Sequence, residues 1–162
     1  MNIGNIIKFG KYEWHVLNIQ DDKALIISTA IIDRKAYHNI NKNITWRYSN
    51  IRKYLNNNFY NAFTSEEQKQ IVETSVTNND NPKYGASGGN DTVDKIFLLS
   101  IDEYNAYKNI ISNAPIWWWL RSPGYCGNFA ANVGGGIADD NYDNGGCVSY
   151  NGGVRPALWL KL

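Results

Sequence analysis

Apolar and polar positions alternate through residues 6–32, IIKFGKYEWHVLNIQDDKALIISTAII, a run rich in β-branched residues and broken at Asp21-Asp22. That pattern predicts a hairpin with strands near 12–19 and 24–29. The period then lengthens: Ile51, Tyr54, Leu55 and Phe59 fall at helical spacing behind Ser49, a suitable N-cap. A second helix is expected from a Ser65 cap, with Glu66 and Glu67 in its first turn and Gln68 completing a capping box. Residues 77–93, TNNDNPKYGASGGNDTV, read as a polar loop within one domain, because too little chain follows for a second. KIFLLS (95–100) reads as a buried strand and IDEYNAYKNII (101–111) as a short helix capped by Ser100 or Asp102. IWWWLRS (116–122) has strand character with Trp117 and Trp119 on one face and Trp118 on the other, so both faces are apolar and the strand is central. VRPALWLKL (154–162) is expected to close the chain as one further strand, with Pro156 near its start where a missing donor is tolerable. The expectation is a single α+β domain over residues 1–162, a mainly antiparallel sheet with two or three short helices.

Composition narrows the function classes. Lys and Arg total 16 against 15 Asp and Glu, which leaves no field to hold nucleic acid or an anionic membrane surface. No basic head followed by an apolar run opens the sequence, and no apolar stretch is long enough to span a bilayer, so neither a signal peptide nor membrane insertion is expected. Localisation and oligomeric state are not legible from these totals. Aromatic residues make up 14%, with 6 Trp and 11 Tyr, enough for both a core and a surface built on large rings.

Residues 124–153, GYCGNFAANVGGGIADDNYDNGGCVSYNGG, break the pattern. They hold nine of the 14 Gly, five Asn, three Asp and three Tyr between apolar frames. FAANV and CVSY are short β fragments inside them, so the stretch must ride on the frame strands. Cys126 and Cys147 both lie here; one bridge is possible, although two thiols in a chain without an export signal are more often free. Asp139, Asn141 and Asp143 alternate as in an oxygen-ligand calcium loop, but Asn144 stands where the turn glycine belongs and Tyr150 where a bidentate Glu belongs. No metal and no cofactor are therefore expected. The stretch also lacks Lys, Glu, Gln, Met and Trp, which fill 26 of the other 132 positions. Under uniform composition that absence has a chance on the order of 0.1%.

WWWLRSPG, AANV and GGVRPALWL, together with YEWHVL, LNNNFYNAFTSEE and DKIFLLSIDEY, resemble an uncharacterised bacterial family ending in WWLRS and GVRPAL. That family is similar to the C-type-lectin-like folds of formylglycine-generating enzymes and of the variable proteins of diversity-generating retroelements. The resemblance covers most of the chain and implies a C-type-lectin-like fold. It also implies a C-terminal surface rewritten by adenine-directed mutagenesis, in which Asn codons can become many residues but never Lys, Glu, Gln, Met or Trp. No cysteine motif matches the copper-binding pair of the formylglycine-generating enzymes, so that activity does not carry over.

A surface that changes composition cannot carry the fold's energy. Trp117, Trp118, Trp119, Leu120, Val154, Leu158, Trp159 and Leu160 are the expected frame, with Val133 and Val148 as inward anchors. Arg121 and Arg155 flank the stretch and are expected to bind loop carbonyls or a carboxylate. The residues expected to face a variable protein or glycan ligand are Tyr125, Asn128, Phe129, Asp139, Asp140, Tyr142, Asp143, Ser149 and Tyr150. His15 and His38 are the only histidines and neither has a metal-ligand spacing, so no catalytic residue is expected. A fixed carbohydrate-recognition module, or a structural piece of a phage tail or surface assembly, are the alternative readings of the same composition.

Overall fold

Asp21, the one non-glycine residue with positive φ (50°) among those described, closes the 12–28 hairpin of a computed structural model describing residues 1–134 and 144–162. Strands β1 (Ile6–Phe9), β2 (Tyr12–Gln20) and β3 (Lys23–Ser28) open the chain, followed by β4 (Asp33–Ala36). A 3-10 turn at Trp46–Tyr48 leads into α1 (Asn50–Tyr54), a π-helical turn Leu55–Phe59 and a 3-10 turn Tyr60–Ala62. Then come α2 (Ser65–Gln70), β5 (Ile71–Val72), β6 (Thr74–Val76), β7 (Thr92–Asp94) and α3 (Ile101–Tyr107). Strands β8 (Trp118–Pro123), β9 (Phe129–Val133), β10 (Gly146–Cys147), β11 (Asn151–Val154) and β12 (Ala157–Lys161) complete it. The class is α+β, with mostly antiparallel sheets and few short helices.

One sheet runs β1-β2-β3-β12-β5, a second runs β10-β9-β8-β11-β4, and β6 and β7 form a ribbon. Only the β8–β11 pairing is parallel among these. Trp14, Val16, Leu17, Ile26 and Ile27 from the first sheet and Trp118, Trp119, Leu120 and Val154 from the second are buried in one apolar cluster, with Ile51, Leu55 and Phe59 from the helical segment. Ile51, Leu55 and Phe59 recur every fourth position, which puts one stripe of an α or π turn against the core.

Several sequence expectations need correction. The second helix is capped by Thr64, not Ser65: Thr64 Oγ1 accepts from Glu67 N while Glu67 Oε2 accepts from Thr64 N. Residues 96–100 are buried and Lys95 is half-buried, but the segment is not a strand; only Phe97 bridges to Ala157. Their backbone is satisfied by side chains and single main-chain bonds rather than by a ladder, with Asn56 accepting from Lys95 N and Ile96 N and donating to Ile96 O, Arg121 Nη1 donating to Leu98 O and Arg121 N to Leu99 O. Thr92 and Val93, expected in the loop, pair with β6. The closing segment is two strands rather than one, since Arg155-Pro156 carries the chain from β11 in one sheet to β12 in the other. Strands β1, β4, β5 and β6 were not legible at all, and CVSY contributes only Cys147 to a strand.

Candidate functional site

The middle position of β8 in its sheet follows from its composition: all six residues, WWLRSP, are buried. Trp118 and Trp119 face opposite sides. Trp119 stacks edge-on against Tyr37 (centroids 5.7 Å apart) and Trp117 (4.8 Å), and its Nε1 donates to Lys35 O at 2.9 Å. Trp118 meets Tyr104 at 5.8 Å and lies 4.9 Å under the Arg155 guanidinium.

Two buried arginines tie this strand region to its surroundings. Arg121 donates to Leu98 O (2.8 Å), Thr77 O (2.9 Å) and both oxygens of Glu103. Glu103 meanwhile accepts from Ser100 N at the cap of α3. Arg155 has no carboxylate partner among the described residues; it donates to Ser28 O (2.9 Å), Thr29 O (3.1 Å) and Ser112 O (2.8 Å). Burial holds its pKa down to about 10, so it stays charged near neutrality and the three carbonyls carry that charge.

On this base sits the described part of 124–153. Its backbone is held by main-chain bonds that do not depend on its side chains. Gly124 N donates to Phe129 O (2.9 Å), Tyr125 N to Asn144 O (2.8 Å), Val148 N to Asn128 O (2.9 Å) and Tyr150 N to Cys147 O (3.0 Å). Neighbouring segments join in, Ile44 N donating to Gly127 O and His38 N to Val148 O. Two glycines permit the close approach. A Cβ on Gly152 would lie 2.2 Å from Trp117 Cζ3, and Gly145, at φ +71°, would place one 1.8 Å from Ala130 O.

Tyr125 and Tyr150 stand out from this shelf, 58% and 62% exposed. Asn128, Phe129 and Ser149 are half-buried and partly engaged: Asn128 donates to Asn41 Oδ1 and accepts from Cys126 Sγ, Phe129 packs near Tyr125, and Ser149 Oγ lies 3.3 Å from Cys147 Sγ. Asp139, Asp140, Tyr142 and Asp143 lie outside the described residues, as does most of the calcium-like pattern. Both cysteines are free thiols. Of the frame residues, Trp118, Trp119, Arg121, Val148 and Arg155 are buried. Trp117, Val133 and Trp159 are only half-buried, a correction to their place in the core. Trp117 precedes β8 and packs by one edge, Val133 ends β9, and Trp159 has the Lys23 ammonium 4.9 Å above its ring.

Sequence reasoning missed the neighbours that complete this surface. Tyr84, half-buried in the 77–93 loop, packs edge-on against the exposed Tyr125 ring at 4.9 Å. Asn43, Ile44, Thr45, Tyr48 and Ser87 line, with Gly127, an open depression of about 460 Å³ beside it. Their only sequence signal is a polar, Asn-rich composition without period.

Among the described residues no three His, Cys, Asp or Glu side chains come together to hold a metal ion. His15 Nε2 lies 3.0 Å from Ser112 Oγ, and its buried Nδ1 has no hydrogen-bond partner among the described residues. Burial and the Arg155 charge also push its pKa below the usual value. No helix among the described residues is long and apolar enough to cross a membrane.

No curated protein and no solved structure matches the chain. Residues 21–162 match the family described as Domain of unknown function (DUF6273), which takes in the hairpin from its turn onward, both buried arginines and the whole of 124–153; the chain belongs to that family.

Proposed function

We propose that this chain is a non-catalytic binding protein with a C-type-lectin-like fold, whose 124–153 surface is diversified by retroelement-driven mutagenesis to take varied protein or glycan targets. The observation that carries the reading is the pairing of exposed Tyr125 and Tyr150 with a backbone fixed by main-chain bonds and by glycines packed on tryptophan. Side chains there can change while the shelf persists. Tyrosine supplies rigid contact area at small entropic cost, and Asn and Ser adapt around it, as in antibody loops. The absence of Lys, Glu, Gln, Met and Trp from the stretch agrees with adenine-directed change of Asn codons.

The shelf also limits which positions can vary. Gly145 and Gly152 are sterically committed, and Ala130, Ala131 and Val148 are buried, so diversification is confined to positions such as 125, 128, 149 and 150. Sequencing this gene and its 3′ repeat from sibling isolates tests the reading. Differences should concentrate at template adenines in those codons and spare 117–119, 145 and 152. Differences scattered over the gene, or substitutions at the committed glycines, would overturn it.

A further inference from the structure

A second open groove, of about 530 Å³, lies along β4 and the helical segment, and all its lining residues but Asn151 fall outside 124–153. Its volume is in the range of small-ligand sites. Three cations line it, Arg34, Lys35 and Lys53, and no Asp or Glu does. Asp33, on the same strand as Arg34, is already engaged: it accepts from Tyr54 Oη at 3.0 Å and from Arg34 N at 2.7 Å, and lies 3.9 Å from Lys35 Nζ. Lys35 is further committed to the Tyr54 ring face, 4.5 Å from its centroid. Arg34 and Lys53 are exposed and neither forms an ion pair among the described residues, so two positive charges face the groove uncompensated.

The rest of the lining is chiefly amide. Asn39, Asn58 and Asn151 are exposed and their side chains hydrogen-bond to nothing among the described residues. An amide presents a donor and an acceptor side by side, which matches neighbouring hydroxyls on a sugar ring. Apolar lining is sparse, because Ile51 is buried and Lys35 covers Tyr54, so the groove offers neither a hole for a peptide side chain nor a free ring for a nucleobase.

We propose that this groove binds an anionic saccharide, a short glycan bearing carboxylate or sulfate groups, with Arg34 and Lys53 on its charges and Asn39, Asn58 and Asn151 on its hydroxyls. Titration calorimetry of the full chain at low salt tests this with four probes: a heparin-derived tetrasaccharide, tetragalacturonate, neutral maltotetraose and inorganic tripolyphosphate. At least one acidic sugar should bind, maltotetraose should not, and affinity should fall as salt rises. The double variant R34A/K53A should raise the Kd for the acidic sugar by about tenfold or more, the effect of losing charge-assisted hydrogen bonds. Both side chains are exposed, so its thermal melting should match the wild type; if melting shifts, Asn58→Asp, which sets a carboxylate in the groove, should weaken binding in the same way. N39A/N58A should weaken the sugar and leave tripolyphosphate unchanged. The proposal is overturned if neither acidic sugar binds, if binding ignores R34A/K53A in a chain of unchanged melting, or if tripolyphosphate binds as tightly as the sugars and N39A/N58A weakens neither.

Discussion

Gly145 and Tyr150 are five residues apart in the same stretch, yet they should answer substitution in opposite ways. Gly145→Ala forces a left-handed φ on an L residue and drives its Cβ into the Ala130 carbonyl, a backbone atom that cannot swing aside. The expected cost is about 2–4 kcal/mol. Tyr150→Ala removes a ring that is mostly in water, so stability should change by no more than about 0.5 kcal/mol. Urea denaturation of both variants checks the pair. A large loss for Tyr150→Ala would mean that its ring holds the shelf, and would remove the separation between what folds and what is presented. The alternation of the two roles within a few residues explains why the stretch shows neither a strand nor a helical period.

Among the elements, the hairpin β2–β3 was legible because two runs rich in aromatic and β-branched residues flank a marked turn, although Trp14 to Leu17 and Ala24 to Ser28 are buried without alternation. The helix caps were legible in kind but not in place: Thr64-x-x-Glu67 and Ser65-x-x-Gln68 both fit a capping box, and the structure uses the pair whose acceptor is a carboxylate beside the helix N-terminus. KIFLLS misled because an apolar run reports burial, not pairing. Asn56 accepts from its Lys95 and Ile96 N–H groups and Arg121 donates to its Leu98 carbonyl; both are polar residues distant in sequence. Likewise VRPALWLKL hides a change of sheet at Arg155, whose guanidinium binds carbonyls at the end of β3 and just beyond it. At the candidate site, Tyr125 and Tyr150 were legible from composition, whereas Tyr84 and Asn41 come from loops that only the fold brings near. Asn56→Ala should therefore act at a distance. It strips partners from Lys95 N, Ile96 N and Ile96 O at once, at a cost of about 2–4 kcal/mol. Hydrogen exchange at the Lys95 and Ile96 amides should accelerate ahead of the β2–β3 amides. If those two amides keep wild-type protection, segment 95–99 is not held by Asn56.

For the molecule as a whole, the two histidines set how stability answers pH. His15 is buried on β2 near the Arg155 charge, and His38 is buried near Lys42 and Lys53, so burial first and then these cations hold both below the usual histidine value of 6.5. In the unfolded chain each recovers that ordinary value, so between the folded and unfolded pKa values the unfolded state binds more protons than the native one. Stability then rises with pH through this window. It is fully present above about pH 6.5 and is lost as pH falls toward the folded values, where the native state must either protonate a buried ring beside a cation or open. The denaturation midpoint should fall between about pH 7 and pH 5, before most carboxylates titrate. The double variant His15→Asn/His38→Asn removes both titrations and should show a flatter profile over that interval, whatever its absolute stability. A wild-type midpoint that holds constant or climbs on acidification, or a variant with the same slope, would mean that neither imidazole is buried as a neutral ring. Arg155 adds no slope there, since a pKa of about 10 keeps it charged across the interval, and its bonds to Ser28, Thr29 and Ser112 persist while the histidines titrate.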